Sequence, residues 1–189
     1  LTGAFNLTTG LVLEVDAGAT VKSVESCAGE EYPIIAPLAS YGRTRDTNFA
    51  PAGSNATARY QAMIMVPEAS TSVTIRGGGT IDGSGPFWWS ARERRELSAG
   101  RPHLIEIFNS SNVEVSGVTL LDSAFWTLHP VYSSNVYIHD INITAPFDSP
   151  NTDGIDPDSS QNVLIENCFI RQGLISFHPS LSPSLSLSL

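Results

Sequence analysis

Three stretches of the chain share one pattern of apolar and polar positions. They begin at Asn112, Asn135 and Asn162, and each reads Asn-Val-x-(Val/Ile)-x-x-apolar-x-(Leu/Ile) after serine-rich residues. Because side chains of a β-strand alternate between its two faces, each stretch predicts two short strands separated by a two-residue bend. The stretches start 23 and 27 residues apart, and units of this size bury their apolar faces by stacking on one another.

The repeat therefore predicts an all-β fold, a parallel β-helix, over residues 1–173. Looser copies lie at residues 11–15 and 73–81. The glycines at 77–79 within the second copy predict a bend between coils and not a phosphate-binding loop, because no helix follows them directly. Leucine-rich repeats have similar periods, but their Leu-x-x-Leu-x-Leu frame is absent. An antiparallel sandwich with chance similarity between strands stays open as the alternative.

Three segments depart from the strand pattern. Between Pro86 and Pro102 the period changes, and Arg92 and Glu96 stand at helical spacing, which predicts a short helix or helical loop that begins at Pro86 and is closed by Gly100. Residues 33–60 show no clear period and predict a long surface loop. Residues 174–189 form a low-complexity Leu/Ser tail with two prolines after position 178, and we expect this tail to be disordered.

Composition narrows the class of protein. A chain of 189 residues with 41% hydrophobic content forms one domain with a core, and 15 Gly with 12 Pro indicate a turn-rich architecture. The net charge of −9 argues against a nucleic-acid partner. No apolar run approaches the length of a membrane span. The two cysteines, Cys27 and Cys168, are far apart in the sequence and do not indicate a disulfide framework.

The chain carries four Asn-x-Ser/Thr sequons, which favour a secreted and glycosylated protein. They begin at Asn6, Asn55, Asn109 and Asn142. The chain begins at Leu1 without an initiator Met or a signal peptide. We therefore expect a processed or partial chain.

The stretch from Asn151 to Asp158 is the main candidate site. It gathers three carboxylates, Asp153, Asp156 and Asp158, around a turn at Gly154. From the residues alone three interpretations stay open. Asx side chains often cap turns. Crowded carboxylates raise one another's pKa, as a general acid requires. Closely spaced aspartates can also ligate calcium.

Other candidates are weaker. His129 precedes the aspartates at the start of a strand and is a candidate for the same cleft, with ordinary packing as the alternative. His103 and His139 lack partners at metal-ligand spacing, so we predict no metal and no cofactor. Trp88 and Trp89 suit stacking on sugar rings or packing of the helical segment against the β-helix.

Four motifs together resemble the plant polygalacturonases of glycoside hydrolase family 28. They are NTDGIDPDSS at 151–160, HPVYSSNV at 129–136, APFDSPN at 145–151 and GGGTIDGSGPFWW at 77–89. The resemblance runs over about residues 1–173. It implies a right-handed, single-stranded, pectin lyase-like parallel β-helix that hydrolyses α-1,4 links between galacturonic acid units of pectin, with inversion. It further implies that Asp153 is a catalytic carboxylate and that Asn151 lies in the cleft, where we add Asp156 and His129 as substrate-binding candidates.

The sequence departs from that family pattern after Gly173. The family continues with an Asp-Asp pair, a Gly-His-Gly and an Arg-x-Lys, whereas here Leu174 and Ile175 follow, and His178 stands between Phe177 and a proline. Inversion needs two carboxyl groups roughly 6.5–9.5 Å apart. We therefore expect a truncated chain, a β-helix incomplete at its C-terminal end, and no activity from this polypeptide itself.

The combined hypothesis is a secreted, monomeric, cell-wall protein whose partner is pectin or homogalacturonan, and which binds neither nucleic acid nor membrane. One alternative is a non-catalytic β-helix that binds acidic polysaccharide. Another is a calcium-dependent pectin lyase on the same scaffold, which chelation would inactivate.

Overall fold

The computed structural model of the protein describes residues 1–41 and 58–172, together with the backbone of a strand at Ser186–Leu187. Nearly all strands in this part of the chain belong to three parallel sheets. Each turn of the chain passes through sheet A, then sheet B, then sheet C, which is a parallel β-helix. The prediction of parallel stacking is confirmed, and the antiparallel sandwich is wrong.

The strands have the following bounds. Sheet A contains β1 (Phe5–Asn6), β6 (Ile64–Val66), β9 (Ile105–Phe108) and β12 (Leu128–Val131). Sheet B contains β2 (Val12–Val15), β7 (Thr71–Gly77), β10 (Ser111–Ser116), β13 (Ser134–His139), β15 (Gln161–Glu166) and β17 (Ser186–Leu187). Sheet C contains β3 (Thr20–Lys22), β8 (Thr80–Asp82), β11 (Thr119–Leu121), β14 (Asn142–Thr144) and β16 (Phe169–Arg171). A small antiparallel pair joins β4 (Ile34–Ile35) to β5 (Arg59–Tyr60).

The core is built from equivalent apolar positions on successive coils. In each sheet the inward side chains align in rows along the axis, and every member of the rows named here is at most 1% exposed. Because these positions are β-branched or leucine, they pack well on a pleated surface, and each fully buried side chain contributes roughly 1.5–3 kcal/mol. The rows are Ile64, Ile105 and Leu128 in sheet A, Val73, Val113 and Val136 in sheet B, and Ile81, Leu120 and Ile143 in sheet C.

The repeated asparagine of the sequence pattern has a structural cause. Asn112, Asn135 and Asn162 all adopt positive φ, between 53° and 55°, a conformation that asparagine tolerates better than most residues. Their side chains form a ladder, in which the Nδ2 of Asn135 donates to Asn112 at 3.2 Å and that of Asn162 to Asn135 at 3.0 Å. The asparagines therefore set the corner between sheets A and B on three successive coils.

The serines before each repeat form a second ladder at the same corner. The backbone N–H of Ser110 donates to the Oγ of Ser133 at 3.1 Å, and the N–H of Ser133 donates to the Oγ of Ser160 at 3.0 Å. These bonds satisfy backbone donors that the bend removes from the sheet ladders.

The predicted glycine bend lies between β7 and β8. Gly77 has φ +128°, and a Cβ there would stand 2.1 Å from the carbonyl oxygen of Val15. Only glycine fits where the backbones of neighbouring coils approach this closely.

A helix follows β8, as predicted, but it is shorter than the sequence suggested. Helix α1 spans Gly85–Glu93 and does not reach Gly100. Trp88 is fully buried and makes edge contacts with Tyr32 and Tyr60, at centroid distances of 5.0 and 5.3 Å. Its predicted packing role is confirmed. In the described part of the chain, no helix has the length and apolar character needed to cross a membrane.

Arg92 and Glu96, whose helical spacing contributed to the prediction, do not both lie on this helix. Arg95 turns into the left-handed region at φ 56°, so the helix has ended before Glu96. The carboxylate of Glu96 instead accepts from the Nε of Arg94 at 2.8 Å.

The predicted surface loop at residues 33–60 is only partly correct. Residues 42–57 lie outside the described part, but both flanks are packed against the fold. Leu38, Arg59 and Tyr60 are at most 8% exposed, and a 3₁₀ turn spans Ala39–Tyr41. Hydrophobic periodicity missed these flanks because they cover the β-helix from outside and do not form one of its coils.

The predicted Leu/Ser tail, residues 174–189, lies outside the described part except for β17. The backbone of β17 extends sheet B, pairing Ser186 with Leu164 and Leu187 with Ile165. Cys27 and Cys168 are both free thiols.

Candidate active site on the outer face of sheet A

Side chains of sheet A alternate between the core and the outer face of the sheet. Met65, Glu106 and His129 are paired in register on β6, β9 and β12, and they point away from the core row. Leu128 forms a bridge with Ile155 on the following coil, so the next residue, Asp156, continues the outer row. We call Met65, Glu106, His129 and Asp156 the carboxylate row.

A second outer row lies two residues before the core position. Ile105, Leu128 and Ile155 are level with one another, so the residues two positions earlier, His103, Trp126 and Asp153, are also level. Backbone hydrogen bonds continue the pairing here, since the N–H of Thr127 donates to the carbonyl of Asp153 at 2.7 Å. We call His103, Trp126 and Asp153 the aromatic row.

Asp153 and Asp156 form the predicted carboxylate pair at the end of these two rows. Asp153 is 6% exposed, and Asp156 is half-buried. Burial, together with the nearby charge of Asp153, raises the pKa of Asp156 to about 8. The Oδ2 of Asp156 is buried and has no hydrogen-bond partner within the described residues. Asp156 therefore holds a proton at neutral pH, as expected for one member of a crowded carboxylate pair.

Arg101 holds the loop that carries the pair, a role that the sequence did not indicate. Its guanidinium is 2% exposed and donates to the carbonyls of Ala124 and Pro150, both at 2.9 Å, and to the Oδ1 of Asn151 at 3.0 Å. Asn151 is exposed, at φ 58°. Hydrogen bonds from a charged group are strong, so they tie the loop to the two coils before it.

Gly154 allows a close approach between side chain and backbone. A Cβ at this position would lie 2.9 Å from the Cγ2 of Ile170 on the same coil. The glycine that the sequence placed in a tight turn thus lets the loop pack directly against β16.

Glu106 lies fully buried in the same row as Asp156 and is surrounded by donors. Arg59 donates to its two carboxylate oxygens at 2.6 and 2.8 Å, and the Nδ1 of His103 lies at 2.7 Å. Burial alone would raise the pKa of Glu106, but the hydrogen bond from His103, the nearby His129 ring and the charge of Arg59 together lower it well below its usual range. Burial lowers the pKa of His103 to about 4, so His103 donates as a neutral imidazole.

Sequence spacing suggested no metal partners for His103, but the fold brings His103, Glu106 and His129 together. Their ligand atoms all lie within 4.8 Å of one another. The guanidinium of Arg59 already occupies both oxygens of Glu106 and places a positive charge beside the cluster. This donor set therefore fits an internal ion-pair network better than a cation site.

His129 is buried under Tyr41, which comes from the 3₁₀ turn before the gap in the described chain. The imidazole is 0% exposed. Its Nε2 lies 3.3 Å from the Tyr41 hydroxyl, and that hydroxyl donates to Asp158 at 2.5 Å. The Nδ1 of His129 lies 3.6 Å from Glu106. Contact with a substrate would require Tyr41 to move, so the predicted binding role of His129 stays a prediction.

The structure thus brings all four predicted residues, Asn151, Asp153, Asp156 and His129, to one face of sheet A. It adds a set that sequence analysis missed: Tyr41, Arg59, Arg101, Glu106 and Trp126. The sequence signal available for Glu106 was strand alternation. Glu106 and His129 each follow a core position by one residue, so both are expected on the outer face of the sheet.

The chain is a parallel β-helix that carries clustered aspartates on the outer face of one sheet. The sequence profile of the glycosyl hydrolases family 28 matches residues 45–174, and the chain belongs to this family. It is 40% identical to a "Probable polygalacturonase" of Vitis vinifera over 173 residues, which cover 92% of this chain and 33% of that protein. It is 38% identical to an exopolygalacturonase of Zea mays over 115 residues, covering 59% of this chain and 28% of that protein.

Solved structures agree on the fold. A polygalacturonase from Erwinia carotovora matches with a TM-score of 0.70 at 27% identity, over 90% of this chain and 45% of that one. A hyperthermoactive exopolygalacturonase from Thermotoga maritima matches with a TM-score of 0.68 at 25% identity, over 91% and 43%. The fold is a right-handed parallel β-helix, as predicted. The chain spans about a third of the length of the Vitis vinifera relative.

Proposed function

We propose that this protein is a pectin-directed glycoside hydrolase of the polygalacturonase type, which acts on α-1,4-galacturonosyl links in homogalacturonan. Asp153 is the catalytic carboxylate in this proposal, and Asn151 and Asp156 contact the polymer. The observation that carries it is the pair of unequal carboxyl groups on the outer face of sheet A, where burial and then the charge of Asp153 raise the pKa of Asp156.

This pair suits an acidic polymer. A protonated Asp156 can donate a hydrogen bond to a sugar oxygen or to a galacturonate carboxylate, which an ionised carboxylate cannot do. It also removes one negative charge from a face that must accept an anionic chain, while the protein as a whole carries −9. Family membership favours hydrolysis over the lyase alternative.

The second candidate is binding without hydrolysis. The 189 residues contain no Asp-Asp pair, no Gly-His-Gly and no Arg-x-Lys, the motifs that the family resemblance assigns to the rest of the site. Inversion needs an acid on the leaving oxygen and a base that activates water. This observation favours a chain that binds the polymer with Asp153 in place but turns it over slowly or not at all.

The test uses the full chain with polygalacturonate, measuring reducing ends for turnover and calorimetric binding for recognition. The variant is Asp153→Asn, with Asp148→Asn as the matched control, because Asp148 is exposed in the same loop. We expect polygalacturonate to bind better than a neutral glucan. We also expect any turnover to fall at least about a hundredfold in Asp153→Asn and to persist in Asp148→Asn.

Each outcome separates the candidates. Binding without reducing ends supports the non-catalytic alternative. Equal turnover by wild type and Asp153→Asn would overturn the assignment of Asp153. Binding to the neutral glucan as tightly as to polygalacturonate would overturn the substrate class.

We also propose that the protein is a secreted, monomeric glycoprotein of the cell wall. Three of its sequon asparagines, Asn6, Asn109 and Asn142, are exposed, and Asn55 lies outside the described residues. We expect the chain to shift in gel mobility on endoglycosidase treatment after secretion from a eukaryotic host. An unchanged mobility would count against glycosylation.

A further inference from the structure

Trp126 occupies the position in the aromatic row directly before Asp153. It is partly exposed, whereas its neighbours Phe125 and Thr127 are buried. Strands in a parallel sheet lie about 4.8 Å apart, so the backbones of Trp126 and Asp153 are separated by a single rung. A polymer lying along the axis of the β-helix over sheet A would therefore meet the indole and the carboxylate in succession.

The indole is held rigidly from several sides. His103 stacks on it from the preceding rung, with ring centroids 5.4 Å apart and planes within 6°. The rings of His129 and Tyr41 meet it edge-on, at 5.1 and 6.5 Å. Phe125 also lies parallel to the indole, at 5.2 Å and within 12°, and the indole stays partly exposed between these rings. A preorganised ring loses little conformational freedom when a ligand binds.

The supporting groups are themselves fixed, so the ring does not depend on a mobile loop. His103 is bonded to the buried Glu106 at 2.7 Å, and Glu106 is held by Arg59 through two bonds. Arg59, Glu106 and His103 take no direct part in the proposed chemistry, but together they form a buried network beside Trp126. It locks the ring that supports Trp126.

An aromatic face next to a catalytic carboxylate fits one kind of ligand group. A pyranose ring presents a patch of C–H groups on one face, and this patch packs on an aromatic ring while the sugar hydroxyls stay free for hydrogen bonds. The uronate carboxyl lies at the rim of the sugar and does not interfere with this stacking. We propose that Trp126 is a substrate-binding residue that stacks on the galacturonate unit adjacent to the one at Asp153.

This inference rests on the proposed function, and its test uses binding, so it does not depend on turnover. Trigalacturonate is titrated into the full chain, with affinity measured by calorimetry and indole fluorescence recorded in parallel. The variants are Trp126→Ala and Trp126→Phe. Trp89→Phe is the matched control, because Trp89 lies on α1 and its indole N–H donates to the carbonyl of Ser123 at 3.2 Å.

The expected pattern is specific to stacking. Trp126→Ala weakens trigalacturonate binding about three- to tenfold, the range expected for loss of one aromatic contact. Trp126→Phe keeps the affinity within about twofold, since a smaller ring still stacks, but it loses the ligand-induced fluorescence change. Trp89→Phe keeps both the affinity and the fluorescence change, and the buried Trp88 contributes a constant background.

Two results would overturn the inference alone: unchanged affinity in Trp126→Ala, or a fluorescence change that persists in Trp126→Phe. If circular dichroism shows that Trp126→Ala does not fold, the fluorescence of Trp126→Phe decides. Absence of trigalacturonate binding by the wild-type chain would overturn the proposed function together with this inference.

Discussion

Glu106 and Asp156 stand two coils apart in the same outer row of sheet A, and the pKa values of their carboxyl groups shift in opposite directions. Glu106 is fully buried, yet its pKa lies well below the usual range. Asp156 is less buried, yet its pKa rises to about 8. Depth of burial alone would predict the reverse order. The difference must come from the groups around each carboxylate.

The two surroundings differ in charge and in hydrogen bonding. Glu106 receives two bonds from Arg59 and one from His103, so its ionised form is compensated. Asp156 faces the negative charge of Asp153, and its Oδ2 has no partner within the described residues. Protonation then becomes the cheaper way to keep the group out of water.

The comparison divides the outer face of sheet A by role. Around Glu106, both carboxylate oxygens accept hydrogen bonds from buried donors, which suits a support. The part around Asp156 carries an uncompensated group that a ligand can satisfy. Strongly perturbed pKa values occur in both parts, so a shifted pKa alone does not mark a functional site.

Removing the charge of Glu106 should have the largest effect on stability. In Glu106→Ala, Arg59 remains buried without its partner, and we expect a loss of about 3–5 kcal/mol in the free energy of unfolding. Denaturant titration followed by circular dichroism measures it. The matched control is Glu14→Ala, which breaks an exposed pair of the same chemistry, Arg76–Glu14 at 3.0 Å. That change should cost at most about 0.5 kcal/mol.

A double variant separates the contribution of charge in the Arg59–Glu106 pair from the contribution of side-chain packing. In Arg59→Met with Glu106→Leu, no uncompensated charge is left, so much of the lost stability should return. Recovery should be incomplete, because the Nδ1–H of His103 has lost its acceptor. A double variant as unstable as Glu106→Ala would show that the cost lies in shape and not in charge.

The repeats explain why so much of the fold could be predicted. Val113, Val136 and Val163 occupy the same position of the repeat and pair with one another from coil to coil. In a stack of repeats each coil contacts only its neighbours, so the pattern repeated along the sequence also predicts the tertiary contacts. The asparagine and serine ladders were visible as repeated letters for the same reason.

The site could be predicted only where one short motif held its members. Asn151, Asp153 and Asp156 lie within six positions and were predicted together. By contrast, Arg59 binds Glu106 from 47 residues away, and Tyr41 binds Asp158 from 117 residues away. Those contacts are made by segments that cover the β-helix from outside, where no periodicity relates a residue to its neighbour in space.

Asp156 provides a test with a smaller expected effect. It should make the protein less stable as the pH rises, whereas an ordinary salt-bridged aspartate makes a protein more stable. Its folded pKa of about 8 lies above the unfolded value of about 3.9, so the folded state binds the extra proton. Asp156 therefore does not reduce the free energy of unfolding below about pH 4, and it reduces it increasingly as the pH rises toward 8. Each unit of pKa difference corresponds to about 1.4 kcal/mol. After allowance for solvent exposure, we expect a loss of roughly 2 kcal/mol between pH 5 and pH 8.

Asp156→Asn should remove this part of the pH dependence, because an amide resembles the protonated carboxyl group and does not titrate. We expect the variant to match wild type near pH 4 and to exceed its free energy of unfolding near pH 8. Asp148→Asn serves as the control and should leave the slope unchanged. Unfolding titrations at pH 4, 6 and 8 give the comparison. An equal slope in wild type and Asp156→Asn would mean that Asp156 is compensated by contacts like those of Glu106, and the division of sheet A into a paired and an unpaired part would fail.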